Sequence, residues 1–342
     1  MKYLKYNMVG LGLLLFPILV GAEFLGNHKG LPLQDRQSIS VANLPDTIGE
    51  WGQTRRFAPT ITANGDSPTP LITHENTLVQ QQKQFRTGLL ISGLTLSTAL
   101  YGYISWWDKS ASTFRVRHEG WFGADTPNGG ADKLGHAFSF YVSTRLMTNG
   151  FQWAGHNRKE AAQLAGLTSG VLSLGVEIMD GFTEEYGFST EDLMMNLSGI
   201  GLGTVLESYP QWDDLVDIRI KYWPSDDARR LQDYDPVADY SGQTYLLITK
   251  ASGIPTLRQN PFLRYLELAV GYGTRGYQPN DGTDTQPTSR NLYYGLSLNL
   301  SQLLNDTLFK KQNKPRTQKV TENVLEYLQM PGTALLFKHQ LQ

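Results

Sequence analysis

The chain has 342 residues, which is enough for a sizeable core and two structural regions. Its 30 basic and 32 acidic residues give a formal net charge of -2, so no electrostatic attraction to nucleic acid is expected. It contains no cysteine, and we therefore expect no disulfide, thiolate metal site, thiol nucleophile or lipid anchor on an N-terminal cysteine.

The N-terminus has the layout of a secretory signal. Two lysines precede an uncharged stretch, residues 6–22, which is apolar at its centre and ends in small residues. A basic start, a short apolar region and a small-residue exit are typical of a signal peptide. We therefore predict a signal peptide or N-terminal anchor at residues 1–22, with a buried N-terminal helix as the alternative. Residues 23–84 are polar, with Pro, Thr and Gln throughout, and predict an extended arm.

An uncharged segment follows at residues 88–107 and ends in a cluster of Tyr and Trp. Its length matches a bilayer span, and the aromatic cluster suits a membrane interface. Gly, Ser and Thr dilute its hydrophobicity, however, so the central helix of a soluble bundle fits as well. The sequence leaves both interpretations open.

Glycine-rich helices make up the central part of the chain. The helical period predicts three more of them, at about residues 131–148, 159–180 and 190–207. The second and third contain small residues four positions apart, which let helix backbones approach closely. We expect these helices to form one bundle within residues 85–208.

After the bundle, the apolar period changes to that of strands. Alternating residues predict strands at 243–250, 263–272 and 291–300. We expect residues 209–309 to be an acidic linker followed by antiparallel strands, whose apolar face must pack on the bundle or on lipid. Residues 310–342 predict a linker and a helix at about 318–329. The predicted fold class is therefore α+β, a glycine-rich helical bundle with a small antiparallel β-sheet at its C-terminal side.

A two-part polar signature interrupts the apolar helices. Its residues form pairs three or four positions apart, so each pair shares a helix face: Asp132 with His136, Glu177 with Asp180, and Asp192 with Asn196. Burying such groups is costly unless they pair with one another. The signature therefore predicts either a functional site or a tightly satisfied polar core.

Several of these residues also have a purely structural interpretation. Ser189 with Asp192 resembles a capping box, and Asp132 favours a helix N-terminus. Glu177, by contrast, lies in an apolar stretch without a local charge partner, and Asn196 caps nothing. These two residues make the signature harder to explain by helix caps alone.

Two chemistries fit the signature. In the first, His136 and a carboxylate act as general acid and base, and Asn196 or Lys133 stabilises developing negative charge. In the second, a divalent metal is held by mixed oxygen and nitrogen ligands. The ligands would be Asp132, His136, Glu177 and Asp192. No familiar zinc-protease or nucleotide-binding motif is present in a convincing context, so the cofactor is otherwise unknown.

The candidate residues divide by role. The candidate catalytic residues are His136, Asp132, Glu177 and Asp192. The candidate ligand-binding residues are Lys133, Asp180, Ser189 and Asn196. Lys133 is expected to point to a different face from Asp132 and to pair with an acid such as Glu184 or Glu185.

Four motifs carry a family resemblance. They are Gly130–His136, Glu177–Phe182, Gly187–Ser189 and Asp192–Gly199. Together they resemble the YfiM-like family, a family of unknown function described as predicted periplasmic or outer-envelope lipoproteins. The similarity covers roughly residues 105–205. Three later stretches also resemble its longer members, at residues 221–225, 239–243 and 293–300.

The order of the polar residues is also similar to that of VanZ-like membrane proteins, which are linked to glycopeptide tolerance. This chain has Gly187 and Phe188 before Ser189, where no arginine matches the VanZ-like pattern. It also lacks the lipoprotein cysteine, so the resemblance does not imply a lipid anchor. The resemblance implies a compartment and a fold, and it brings no established reaction.

These observations predict a bacterial cell-envelope protein that is periplasmic or membrane-associated, with the outer membrane among the candidate locations. The polar signature would be a structural core or a small-ligand site. The alternative is a membrane-proximal hydrolase or transferase that acts on a lipid or cell-wall intermediate through His136 and carboxylates, with or without a metal. An assembly role through the strands is a third reading. Membrane or envelope components are the expected partners, and whether the protein is an enzyme stays open.

Overall fold

The computed structural model describes residues 71–105, 107, 113–184, 186–230, 236, 239–277, 287–309 and 316–341. The predicted signal peptide or anchor at residues 1–22 lies outside this part of the chain. Residues 23–70 of the predicted arm and residues 310–315 of the predicted C-terminal linker lie outside it as well.

The helical part consists of α1 (Leu71–Ser105), α2 (Ala131–Trp153), α3 (Arg158–Asp180) and α4 (Thr190–Ser208). The last three match the predicted bundle helices. Two of them begin at side-chain caps, since Asn157 accepts the backbone N–H of Glu160 and Ser189 accepts that of Asp192. With the sheet described below, these helices confirm the α+β fold class. Shorter helices are α5 (Pro210–Asp213), α6 (Asp226–Arg230), α7 (Pro255–Arg258), α8 (Leu300–Thr307) and α9 (Arg316–Tyr327).

Helix α1 corrects part of the predicted arm, because residues 71–84 are helical rather than extended. This stretch has four Gln, two Leu and one Lys and no Pro or Gly, a composition that favours a helix. Leu90 and Leu94 pack on the cluster around Met147 and Phe151, which fixes α1 to the outside of the bundle.

Helix α3 is, among the described helices, the one that is long and apolar enough to cross a bilayer by length and composition. Only 28% of its most apolar window is buried inside the protein. Most of the uncharged stretch at residues 88–107 lies in α1. Core helices of soluble proteins can be as long and as apolar as α3, so the finding by itself does not establish a span.

Helices α2 and α4 meet backbone to backbone. A Cβ atom on Gly199 would collide with the carbonyl oxygen of Ala137, and one on Gly203 would lie 3.0 Å from the carbonyl oxygen of Tyr141. The small residues four positions apart on α4 therefore face α2, as the predicted close packing requires. This approach brings the polar residues of the two helices within bonding distance.

Two short strands, β1 (Val116–Arg117) and β2 (Phe188–Ser189), form a parallel pair beside the bundle. The second part of the fold is an antiparallel sheet of strands β3 to β7, which lie in the sheet in the order of the chain. Strands β4 (Gln243–Lys250), β5 (Leu266–Arg275) and β6 (Ser289–Leu298) were predicted. The edge strands correct the prediction, since β3 (Val216–Tyr222) lies in the supposed acidic linker and β7 (Ala334–Leu341) lies beyond the supposed last helix. Charged and apolar residues alternate along β3, so in sequence it looks like a solvent-exposed segment rather than a strand of the sheet. In the structure its charged face turns inward.

The sheet is strongly curled. The backbone N–H of Gln329 donates to the carbonyl of Ile220 on β3 at 2.9 Å, and its side chain donates to Ser297 Oγ on β6 at 3.0 Å. In a flat sheet, strands three places apart are separated by roughly 14 Å. The concave face encloses Arg219, which is buried and donates to both carboxylate oxygens of Glu267 at 2.7 and 2.8 Å.

The convex face of the sheet packs on the bundle at one end. The ring of Tyr245 lies 6.0 Å from that of Phe138, and the hydroxyl of Tyr272 donates to the carbonyl of Gly129 at 2.5 Å. This contact covers the start of α2 and holds the polar residues of its first turns beneath the sheet.

An arginine joins the bundle to the C-terminal part of the chain. Arg145 on α2 is buried and donates to Glu207 at 2.9 Å, to Asp213 at 2.6 Å and to Glu326 at 2.5 Å. Its guanidinium also donates to the hydroxyl of Tyr141 at 2.6 Å. Helices α2, α4, α5 and α9 are therefore connected through one side chain.

Candidate functional site

Lys133 lies at the centre of the polar cluster. Its side chain is fully buried, and its Nζ contacts Glu119 Oε2 at 2.5 Å, Asp192 Oδ1 at 2.7 Å and Asp132 Oδ2 at 3.1 Å. The predicted pairing with Glu184 or Glu185 is corrected for Glu184, which takes no part in this contact, whereas Glu185 lies outside the described residues. The reason is that the first turns of α2 and α4 lie side by side, which brings Asp192 to Lys133.

The turn before α2 brings Glu119 to this lysine. Gly130 has φ 82°, a left-handed conformation that favours glycine, and a Cβ there would lie 2.5 Å from the carbonyl oxygen of Trp121. The loop that carries Glu119 is thus held against the start of α2. Glu119 was not among the predicted site residues, because it lies in a loop where helical spacing gives no signal.

A short parallel pairing supports the same loop from the other side. Strand β1 (Val116–Arg117) pairs with β2 (Phe188–Ser189), directly before the cap of α4. The pairing fixes Ser189, whose backbone N–H donates to Glu177 Oε2 at 3.3 Å. The 113–130 loop, the end of α3 and the start of α4 therefore meet at Ser189.

The polar cluster has two limbs. The contacts of Lys133 form the first, and hydrogen bonds through the side-chain amide of Asn196 form the second. His136 Nδ1 donates to Asn196 Oδ1 at 3.0 Å, and Asn196 Nδ2 donates to Glu177 Oε1 at 3.3 Å. His136 Nε2 lies 3.7 Å from Asp192 Oδ1. Asp192 therefore belongs to both limbs, between the lysine and the histidine.

The structure thus brings together seven of the eight predicted site residues. They are Asp132, Lys133, His136, Glu177, Ser189, Asp192 and Asn196. Asp180 is bound differently, since its Oδ1 accepts the indole N–H of Trp107 at 3.1 Å. Its charge still acts on the cluster through space, because it opposes the ionisation of Glu177.

Burial and neighbouring charges set the proton affinities of the cluster. Burial raises the pKa of Glu177 to about 7 and that of Asp180 to about 6. Burial also opposes ionisation of Asp192, but His136 and Lys133 outweigh it and hold the pKa of Asp192 below its usual value. Burial opposes protonation of His136 as well, but the carboxylates around it raise its pKa.

Lys133 is held in its charged form. Burial disfavours the ammonium, yet Asp132 and Asp192 outweigh this and raise the pKa of Lys133 well above its usual value. A lysine that transfers protons near neutral pH needs a lowered pKa instead. The position of Lys133 therefore fits a fixed cation better than a general acid or base.

His136 is the most exposed residue of the cluster. Its side chain is 36% exposed, whereas those of Glu119, Asp192 and Lys133 are 17%, 9% and 0% exposed. A cavity of about 470 Å³ in the described part of the chain lies elsewhere, at the end of the sheet. Its lining includes Trp223 and Arg275 and none of the candidate residues.

Among the described residues, the carboxylates that could share a metal ion near the cluster are those of Glu119, Asp132 and Asp192, whose oxygens lie within 4.8 Å of one another. His136 and Glu177 are not in this group. The ammonium of Lys133 contacts all three carboxylates, so a positive charge built into the chain already lies where a metal would bind. Asp132 Oδ1 is buried and has no hydrogen-bond partner.

A comparison with known protein families finds a match over the part of the chain that carries this site. Residues 118–208 match the model of a family described as "Predicted periplasmic lipoprotein (DUF2279)". The match spans α2, α3 and α4 and includes every residue of the cluster. It agrees with the expected cell-envelope location, and the protein is an envelope protein at this level of description. No curated protein and no solved structure matches the chain.

Proposed function

We propose that this cell-envelope protein is non-catalytic and that its polar cluster is a structural core that locks the helical bundle. The observation that carries the proposal is the fully buried ammonium of Lys133, which is bound by carboxylates from the 113–130 loop, α2 and α4. The YfiM-like resemblance supports the same reading, since that family brings no established reaction.

The free-energy cost of burying an ammonium favours a structural role for the cluster over a reactive site. Taking an ammonium out of water costs several kcal/mol, and that cost is offset only where several acceptors surround it. Glu119, Asp132 and Asp192 are such acceptors, and each comes from a different position in the chain. Removal of one partner from a buried ion pair leaves the remaining charges without compensation in the interior. Each charged partner is therefore needed for the stability of the cluster.

The first prediction concerns Lys133→Met. We expect it to lower the free energy of unfolding by about 3–5 kcal/mol, because three carboxylates, two of them buried, lose their cation. Urea denaturation followed by circular dichroism measures the loss. The matched control is Lys83→Met, which removes the exposed pair with Glu160 at 3.1 Å and should cost little. Equal stability of Lys133→Met and the wild type would contradict the structural role.

A second candidate function rests on the exposure of His136. Its imidazole reaches solvent and is linked through Asn196 to Glu177, whose pKa is about 7. Such a pair could exchange protons near neutral pH, as an enzyme acting on a lipid or cell-wall intermediate requires. The VanZ-like resemblance belongs to this candidate.

Thermal unfolding separates the two candidates. For a structural core, His136→Ala and Asp192→Asn both lower the melting temperature, and added Mg²⁺, Mn²⁺ or Zn²⁺ leaves the wild type unchanged. For a ligand site, His136→Ala melts like the wild type, and a metal shift seen in the wild type is lost in the variant.

A further inference from the structure

An uncovered apolar surface lies on the convex face of the sheet. Six of its residues form two rows across β5, β6 and β7, and we call them the outer apolar block. Leu268 lies opposite Leu296 and Leu296 opposite Leu335, while Val270 lies opposite Tyr294 and Tyr294 opposite Phe337. Each is between 49% and 79% exposed.

Both faces of this sheet carry apolar residues. The concave face buries Leu246, Ile248 and Ala269 together with the ion pair of Arg219 and Glu267. An antiparallel sheet that faces water normally has polar residues on its outer face, whereas the convex face of this sheet carries the block. A continuous exposed apolar surface of this kind marks an interaction site.

The block is free of charge over its whole extent. Along β6 and β7, the basic side chains on the same face are Arg290, which is half-buried and donates to the carbonyl of Phe122, and the exposed His339, both at one end of the sheet. A surface with an uncharged centre and a basic end matches the change from acyl chains to anionic headgroups in a bilayer.

The curvature favours lipid over a second protein surface. Two rigid convex faces touch along a narrow strip and bury little area, whereas fluid acyl chains conform to a convex surface.

We propose that the outer apolar block inserts into the acyl region of a lipid bilayer and attaches this protein to a membrane. The attachment is independent of the role of the polar cluster. A separate exposed stripe on α3 includes Leu167, Val171 and Leu174, and it offers a competing membrane contact that the experiment must distinguish.

The first test is flotation of the purified full chain with vesicles of phosphatidylethanolamine and phosphatidylglycerol. We expect Val270→Lys combined with Leu296→Lys to reduce the bound fraction at least about tenfold, since charge on a lipid-facing strand is strongly disfavoured. The matched control is Trp212→Lys combined with Leu308→Lys, which adds equal charge at exposed apolar positions outside the block. Binding that survives the first pair, or that only Leu167→Lys with Val171→Lys abolishes, overturns the proposal.

A second measurement does not depend on the charge variants folding. Because the chain has no cysteine, Leu335→Cys can be labelled uniquely with an environment-sensitive fluorophore. We expect its emission to shift to the blue when vesicles are added, and the label on the exposed control Glu184→Cys to stay unchanged. A Leu335→Cys label that is already blue-shifted in buffer shows that protein covers the block, either a second copy or another segment of this chain, and overturns the proposal.

Discussion

Asp192 joins the two limbs of the polar cluster, and its position explains why the cluster behaves as one unit. Its Oδ1 accepts from Lys133 at 2.7 Å and lies 3.7 Å from His136 Nε2. The two cations hold its pKa below the usual value, whereas Glu177, which contacts neither cation directly, has a pKa raised to about 7. The pKa values of two carboxylates in one cluster therefore shift in opposite directions, because neighbouring cations dominate at Asp192 and burial dominates at Glu177.

This difference predicts how stability depends on pH. The unfolded chain releases the Glu177 proton near pH 4.5 and the folded chain near pH 7, so the folded state binds more protons between these values. The unfolding free energy should then fall as the pH rises from about 5 to 7. Glu177→Gln should make this slope shallower, and part should remain because the raised pKa of His136 acts in the same direction.

Urea denaturation at several pH values between about 5 and 7 measures this slope. Glu160→Gln is the matched control, because Glu160 is exposed and its pKa is lowered by the hydrogen bond from Lys83. Its slope should equal that of the wild type in this range. The interpretation fails if Glu177→Gln also retains the slope of the wild type.

At the scale of elements, glycines on α4 decide how closely it meets α2. A methyl group on Gly199 would collide with the carbonyl of Ala137, whereas one on Gly201 would meet nothing within 4 Å. Two glycines on one helix thus differ only in the surface that they face. Alanine favours a helix more than glycine at either position, so packing alone separates them.

We therefore predict opposite signs for the two substitutions. Gly199→Ala should destabilise the protein by about 1–3 kcal/mol, because the helices must move apart. Gly201→Ala should stabilise it by up to about 1 kcal/mol through helix propensity. Chemical denaturation of both variants measures the difference, and equal effects would show that α2 and α4 do not pack as described.

At the scale of the whole molecule, Arg145 connects the bundle to the segments that follow it. It binds Glu207 on α4, Asp213 on α5 and Glu326 on α9, while Arg158 binds two of the same acids from the surface. Burial raises the pKa of Glu326 to about 7, which Arg145 opposes. The C-terminal helix is therefore tied to the bundle by buried charge as well as by apolar contacts.

Arg145→Met should lower the unfolding free energy by about 3–5 kcal/mol, because three acids lose a buried cation. Arg158→Met removes a half-exposed arginine from two of those acids and should cost much less. Limited proteolysis should also cut the Arg145 variant sooner in α9 than the Arg158 variant. Similar stability and cleavage in the two variants would contradict the proposed connection.

Local pattern was sufficient for much of the fold. The helical period located α2, α3 and α4, and alternation located β4, β5 and β6, because both depend on neighbouring residues only. The same reasoning missed β3, whose Asp217 and Arg219 look like solvent-facing charges in sequence. It also missed β7. Glu119 was missed as a member of the polar cluster, because no local period connects a loop residue to a helix.

The sequence by itself determined the α+β class, the cell-envelope compartment and seven residues that meet in the polar cluster, because helical spacing places side chains on a common face. Only the tertiary structure decided that Lys133 is enclosed by three carboxylates and that the charged face of β3 turns inward. Burial and pairing depend on which surfaces meet across long separations in the chain, and a local period carries no information about that.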